Sequence, residues 1–356
     1  MDERNDQLWK VPEGAEERVE ELMEKTPVAQ PVSVDVGTSK VVAARPKGKS
    51  IETTAQLNAF LVVPWTRVTE KTLTQNRITH YRDGDDLVIY GNETEQFANM
   101  FNVEARRPMA RGLLNPRERG AMNVLEAIIA SVVPKARSQG DVLAFSVPAA
   151  VEGNESDLTY HEATLRRFFQ TLGYKAMAVN EGLAVVFAEL EEDNFTGIGI
   201  SFGGGLCNGT VAYLSIPTIM FSVPKGGDFI DQSAGRVLNE QATRVKLLKE
   251  EGLDLGRPPR DKVERALHIY YEDVVESVAE ALQRAISRAE KLPRTDRALP
   301  IVLSGGTAMP KGFRELFERA LKTRPLPIEV AGVRMASDPL TATARGALVA
   351  AMSEQQ

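Results

Sequence analysis

The hydrophobic positions of this chain fall in short, sharply bounded blocks. Residues 31–46, PVSVDVGTSKVVAARP, alternate apolar and polar around a glycine, which predicts a strand, a tight turn and a second strand. KGKS reads as a loop, and residues 57–63, LNAFLVV, as a buried strand stopped by Pro64. Asp83-Gly84 between two β-rich runs predicts a hairpin. Helical spacing follows at 93–101 and again at 118–138, where Met122, Leu125, Ile128, Ile129 and Val132 share a face. DVLAFSVPAA predicts a buried strand ending at Pro148, residues 156–172 an amphipathic helix, YKAMAV a further strand, and 181–190 a helix.

The second half repeats the theme. TGIGISFGGGLCNGTVAYLSI predicts a strand, a glycine turn and a strand; helices are predicted over 229–251 and 262–291. LPIVLSGG is a buried strand running into another glycine turn, a helix starts near Lys311, and an Ala-rich helix spans 340–352. The strand–turn–strand unit therefore occurs twice, at Asp35 and at Ser201, the coarse mark of an internal duplication. Alternating strands and helices predict an α/β architecture of two related halves.

Length and charge narrow the function classes. With 356 residues, 43% of them hydrophobic, the chain can bury the cores of two or three domains. Lys+Arg number 43 and Asp+Glu 49, a net charge of −6. That argues against nucleic-acid partners, which need basic surfaces, and makes direct membrane binding doubtful. No run approaches the ~18 apolar residues of a membrane span. The single cysteine, Cys207, excludes an intrachain disulfide and suits a reducing, cytoplasmic setting. Residues 1–30 read as a flexible solvated tail with a short acidic helix over 16–25. His80, His161 and His268 lack metal-ligand spacing and read as structural or surface residues. Cys207 reads as buried, Trp65 as a core residue, and Arg106, Arg107 and Arg111 as solvated or ion-paired.

Three glycine turns carry candidate chemistry. In DVGTSK an acid ends a strand and Gly37 lets the backbone approach an anion, with Thr38, Ser39 and Lys40 beside it. Asp35 has the chemistry to hold Mg²⁺ through its waters. SFGGGLCNG places Gly203, Gly204 and Gly205 between apolar strands, more glycine than a hairpin needs and fitting for a phosphate nest. LSGGTAMPKG ends a buried strand in Gly305-Gly306 and then opens a helix, a turn suited to a ligand lying close to the backbone. Each turn alone is also compatible with a plain structural role.

Taken together and in this order, the motifs resemble the actin / sugar-kinase / heat-shock-chaperone ATPase superfamily, nearest to the bacterial actins of the MreB type. DVGTSK resembles the first phosphate loop, SFGGG the second (usually Asp-x-Gly-Gly-Gly), and LSGGTAMPKG the adenosine motif. SVPAAVEG (146–153), NEGLAVVFAEL (180–190), PKGGDFIDQ (224–232) and SDPLTATARGA (337–347) are similar to the connecting motifs. The resemblance covers about 31–352.

It implies an actin-like (ribonuclease-H-like) fold: two duplicated lobes, each with an inserted subdomain, and ATP or ADP with Mg²⁺ in the cleft between them. The implied division is residues 31–52, 108–178 and 336–352 for the first core, and 53–107 for its insertion. The second core takes 179–224 and 297–335, with 225–296 as its insertion. Asp35 would hold Mg²⁺ waters, with Gly37, Thr38, Ser39 and Lys40 at the phosphates and Gly203, Gly204 and Gly205 facing them from the other lobe. Gly305, Gly306 and Met309 would line the adenosine, Lys246 would contact the nucleotide, and Glu181 would position the attacking water. The chain departs from the pattern at Ser201, where an Asp normally helps hold Mg²⁺. It departs again at Leu206-Cys207-Asn208 in place of Thr-Thr-Asp/Glu, at Gly182 in place of Pro, and at Thr243, where a ribose-binding Glu is common. The implied function is an ATP-binding actin-like cytoskeletal protein that polymerises with itself, with slow or altered hydrolysis. The alternatives are a non-polymerising nucleotide-binding adaptor and, third, a small-molecule kinase, for which no clear substrate Asp stands out.

Overall fold

A computed structural model describes residues 30–101, 103–138, 140–151, 155–289 and 297–355. The reading of 1–29 as a tail with an acidic helix lies outside the described residues.

The first half opens with a meander of β1 (Val32–Val36), β2 (Lys40–Lys47) and β3 (Ser50–Leu57). A small unit follows: β4 (Phe60–Pro64), α1 (Arg67–Gln75), β5 (His80–Asp83), β6 (Asp86–Tyr90) and α2 (Thr94–Phe101). After a short hairpin, β7 (Met109–Ala110) and β8 (Leu113–Leu114), come α3 (Ala121–Val132), β9 (Val142–Val147), α4 (Glu155–Thr171), β10 (Lys175–Asn180) and α5 (Glu181–Glu189). The second half runs β11 (Gly197–Phe202), β12 (Cys207–Tyr213), β13 (Ile216–Val223), then α6 (Gly227–Leu238), α7 (Ala242–Glu250) and α8 (Lys262–Arg288). It closes with β14 (Leu299–Ser304), α9 (Phe313–Thr323), β15 (Val330–Met335) and α10 (Ala342–Glu354).

The duplication is visible in the sheets. One has the order β3-β2-β1-β9-β10, the other β13-β12-β11-β14-β15. In each, the first three strands are antiparallel and the last two join in parallel. The lobes differ in what is inserted: the β4-β6-β5 sheet with α1 and α2 in the first, and the helices α6–α8 in the second. β9 and β11 are buried along their whole length, as strands inside mixed sheets must be. Phe202 at the end of β11 packs edge-on against Phe313 (4.9 Å) and Phe317 (5.9 Å) of α9.

Two helices join the lobes. α5 leaves β10 and packs on α10, where a Cβ on Gly346 would stand 1.7 Å from the Ala184 carbonyl oxygen. The start of α5 also explains Gly182: a Cβ there would lie 2.7 Å from the Thr210 amide nitrogen on β12. No described helix is long and apolar enough to cross a membrane.

Four local expectations are revised. The helix expected over 229–251 is two, broken at Asn239, which takes a left-handed φ of 55°. KGKS is the turn of the β2–β3 hairpin, and β3 itself was not expected from the pattern. The strand expected over 57–63 begins only at Phe60, because Leu57 closes β3 and Asn58 turns the chain between them. Trp65 is half-buried; Nε1 donates to Glu70 (2.9 Å), and the Arg82 guanidinium lies 3.9 Å from the ring centre.

Candidate functional site

The two glycine turns at the ends of β1 and β11 are built alike. Gly37 N donates to Lys40 O, and Gly203 N donates to Leu206 O, each at 3.0 Å. Neither bond uses the amides of Thr38, Ser39, Gly204 or Gly205. The turns meet across the interlobe cleft, and behind them opens a cavity of about 510 Å³, within the range that holds small ligands. All the residues singled out by the motifs line it: Asp35, Gly37, Thr38, Ser39, Lys40, Glu181, Ser201, Gly203, Gly204, Gly205, Lys246, Gly305, Gly306 and Met309.

Asp35 stands at the end of β1, and its Oδ1 accepts from Ser146 Oγ of β9 (2.6 Å). Glu181 sits in the first turn of α5, where the helix dipole favours a carboxylate. Asn180 caps that helix through the amides of Gly182 and Leu183 (3.0 and 3.2 Å). Glu181 Oε2 accepts from Asn208 Nδ2 (2.8 Å), and the Ser201 hydroxyl beside the carboxylate favours its charged form. Burial pushes the Glu181 carboxyl well above its ordinary range, and the nearby Asp35 charge pushes it further. Burial likewise raises Asp35, against the opposing Ser146 bond. Two carboxyl groups that resist ionising side by side form a place where a cation is favoured.

The rest of the second loop is apolar. Leu206 packs on Gly112, whose added Cβ would lie 2.4 Å from the Leu206 Cδ2. Cys207 is fully buried, and desolvation holds its thiol far above the usual range, so it is an unreactive core residue. The Gly305 φ of +95° suits its turn, where a Cβ would meet the Phe202 carbonyl oxygen at 2.2 Å. Thr307 Oγ1 donates to Gly203 O (2.8 Å), tying the third glycine turn to the second.

Lys246 on α7 is buried and ion-paired to Glu95 of α2, which belongs to the other lobe. Arg107 lies 3.7 Å from the same Glu95 and 3.8 Å from Asp228 at the start of α6, and donates to Thr38 O (3.2 Å). Two cations and two anions, one of each from either lobe, therefore bridge the cleft. Arg106 pairs with Glu118, so the arginines at 106 and 107 hold structural ion pairs.

Sequence reading missed several cavity residues. Thr243 does not line the cavity; two turns further on, Glu250 does, with Lys246 and Lys249 on the same face of α7. Lys249 forms a buried pair with Asp231 (2.7 Å), and burial raises that Asp to about 6. The Tyr271 hydroxyl lines the same region, buried and without a hydrogen-bond partner among the described residues. Asn58 holds the first turn from behind: Nδ2 donates to Gly37 O (2.8 Å) and its own amide to Ser39 O (2.9 Å). No group of three or more metal-ligating side chains occurs among the described residues.

Solved structures share this fold. The MamK double helical filament superposes with a TM-score of 0.68 at 17% identity, covering 91% of this chain and 98% of the MamK chain. The ethanolamine utilization protein EutJ from Carboxydothermus hydrogenoformans gives a TM-score of 0.55 at 18% identity, covering 93% of each chain. MreB5 of Spiroplasma citri, bound to ADP, gives 0.59 at 12% identity, covering 92% of this chain and 98% of MreB5. No curated protein matches in sequence. The fold is that of the bacterial actin-like ATPases, and a family model described as Volactin matches residues 31–351. The chain belongs to the Volactin family, on an actin-like fold.

Proposed function

We propose that this protein is an actin-like cytoskeletal ATPase of the cytoplasm. It binds ATP and Mg²⁺ between its lobes, assembles head to tail with copies of itself, and turns ATP over slowly. The observation that carries this reading is the convergence of three distant glycine turns on one cavity of about 510 Å³. Similar folds support it: MamK has been solved as a filament and with AMPPNP, and MreB5 with ADP. The reading also keeps the division into two cores and two insertions, with the first insertion starting after β3 and the second core after β10.

In this assignment the amides of Thr38, Ser39, Gly204 and Gly205 receive phosphate oxygens, and Lys40 adds charge at the rim. Gly305, Gly306 and Met309 lie along the adenosine, and Glu250 takes the ribose role that Thr243, standing where a Glu is common, leaves open. Lys246 closes the mouth through Glu95. The fit to a divalent cation rests on the paired Asp35 and Glu181, whose ionised forms are penalised until a positive charge lies near them. Mg²⁺ there supplies charge neutralisation for the phosphates. Asp35 orients the cation's waters. Glu181 accepts the proton of the attacking water as the water oxygen bonds to the γ-phosphorus and the bridging P–O bond breaks, its electrons leaving on ADP. Ser201 supplies a hydroxyl where a second carboxylate would add charge, so turnover is slow.

The test is direct. Purified protein is titrated with a fluorescent ATP analogue and Mg²⁺, then pelleted with ATP and imaged by electron microscopy. Saturable binding and filaments support the reading; absence of polymer across salt and nucleotide conditions removes the filament part. A nucleotide-binding adaptor that does not polymerise is the second reading. Leu206 favours it, since it offers no hydroxyl where the family usually has one.

A further inference from the structure

We infer that Asn208 is a positioning residue for Glu181, and that it makes the placement of Glu181 depend on closure of the lobes. This rests on the nucleotide reading above.

Asn208 is the second residue of β12 and is fully buried. The Ala149 amide can only donate, and it reaches Asn208 Oδ1 at 3.0 Å. That contact fixes the direction of the carboxamide, because oxygen facing Ala149 leaves nitrogen facing Glu181. Nδ2 then donates to Glu181 Oε2 at 2.8 Å. Ser222 Oγ of β13 has the same Oδ1 and Ala149 O (2.8 Å) within reach, and its one proton goes to either of these two acceptors. Ala149 follows directly on Pro148 at the end of the β9 strand of the first sheet, whereas Asn208 and Ser222 belong to the second. One side chain thus holds the carboxylate with one end and the opposite lobe with the other.

The residue types make this specific. At both 201 and 208 the family pattern has an acid, and here 208 carries a neutral donor bonded to Glu181 and 201 a neutral hydroxyl beside it. An Asp at 208 could still accept from Ala149, but it would face Glu181 with oxygen and repel it. Glu181 and Asp35 are therefore left as the acids of this end of the cavity, with Glu181 held by a donor instead of crowded by further charge. When the lobes part, the Ala149 amide withdraws, the carboxamide loses its orienting bond, and the hold on Glu181 loosens. Glu181 is in place to take the water proton only in the closed form.

The experiment measures single-turnover phosphate release from Mg²⁺·ATP, with affinity measured separately using a non-hydrolysed fluorescent ATP analogue. Glu181→Gln slows release roughly 100-fold, in the range for losing a positioned base. Asn208→Ala and Asn208→Asp each slow it roughly 10-fold while affinity stays within about threefold, a split that a damaged fold would not give. The double variant Glu181→Gln/Asn208→Ala is no slower than Glu181→Gln alone, because the second change acts through the first. Additive losses, or affinity and rate falling together, overturn the inference. Should the Asn208 variants fail to fold, Ser222→Ala serves instead: release slowed about threefold supports the inference, and an unchanged rate overturns it. Wild-type protein that binds ATP but releases no phosphate overturns the positioning role; wild-type protein that binds no ATP overturns the nucleotide reading itself.

Discussion

Gly204 and Ser39 touch across the cleft: a Cβ on Gly204 would stand 2.0 Å from the Ser39 Oγ and 3.0 Å from its Cβ. The second loop is glycine at this point because the first loop occupies the space a side chain would need. The pair therefore reports on how closely the lobes shut.

Gly204→Ala is expected to hold the turns apart and weaken binding of a fluorescent ATP analogue about 10-fold, equivalent to roughly 1.4 kcal/mol. Ser39→Gly in the same chain removes both clashing atoms and recovers most of the loss. Unchanged affinity in Gly204→Ala would show that the closed contact is not needed for binding.

The ion cluster at the mouth should govern exchange. Glu95 is paired to Lys246 and lies beside Arg107, all three largely buried. Glu95→Gln keeps the shape and removes the charge, so bound nucleotide is expected to leave about 10-fold faster, in line with a charged hydrogen bond lost. Stopped-flow chase measures it. A release rate insensitive to both the substitution and salt would refute the latch.

His161 makes stability depend on pH. It is buried against the first core, Nδ1 accepts from Leu114 N (3.3 Å), and burial lowers its pKa to about 4. The native form takes a proton less readily than the unfolded chain, whose histidine titrates near its ordinary ~6.5. The stability it supports is present above that value and is lost as pH falls toward 4, by about 3 kcal/mol in all. His161→Gln, neutral and able to accept the same bond, should flatten urea midpoints measured from pH 7 to pH 4.5. An equally steep fall in the variant would assign the effect elsewhere.

The β12–β13 hairpin is the place to test assembly. Leu214 and Ser215 hold left-handed φ values of 47° and 69°, and Leu214, Ile216 and Met220 are exposed on or beside an edge strand. An apolar residue kept in a strained, exposed turn is a poor choice for a lone monomer. On the filament reading, Ile216→Glu abolishes pelleting and leaves ATP affinity unchanged. Leu214→Asn, whose side chain tolerates the left-handed turn, weakens pelleting without lowering the melting temperature. Normal pelleting of both variants would move the contact to another surface.

The sequence by itself determined the fold and the three glycine turns that line the cavity, because both are written locally. A strand that ends in an acid and a glycine turn needs only its own residues to declare itself, and two such units in one chain declare the duplication. What stayed hidden was set by distant partners. The edge strand β3 is largely polar and exposed, and the edge strand β15, VAGVRM, has no apolar–polar alternation, so hydrophobic alternation could not mark either. The left-handed Asn239 breaks a continuous-looking helix, and the cavity takes Glu250, at the end of the second piece, and not Thr243 at its start. The tertiary structure alone decided that Lys246 answers to Glu95 of the other lobe. It alone decided that Asn208, read in sequence as a loss of charge, donates to Glu181, with Ser201 beside the same carboxylate. Hydrogen bonds and ion pairs act over about 3–4 Å, and residues as far apart in the chain as 95 and 246 come within that range only when the lobes close.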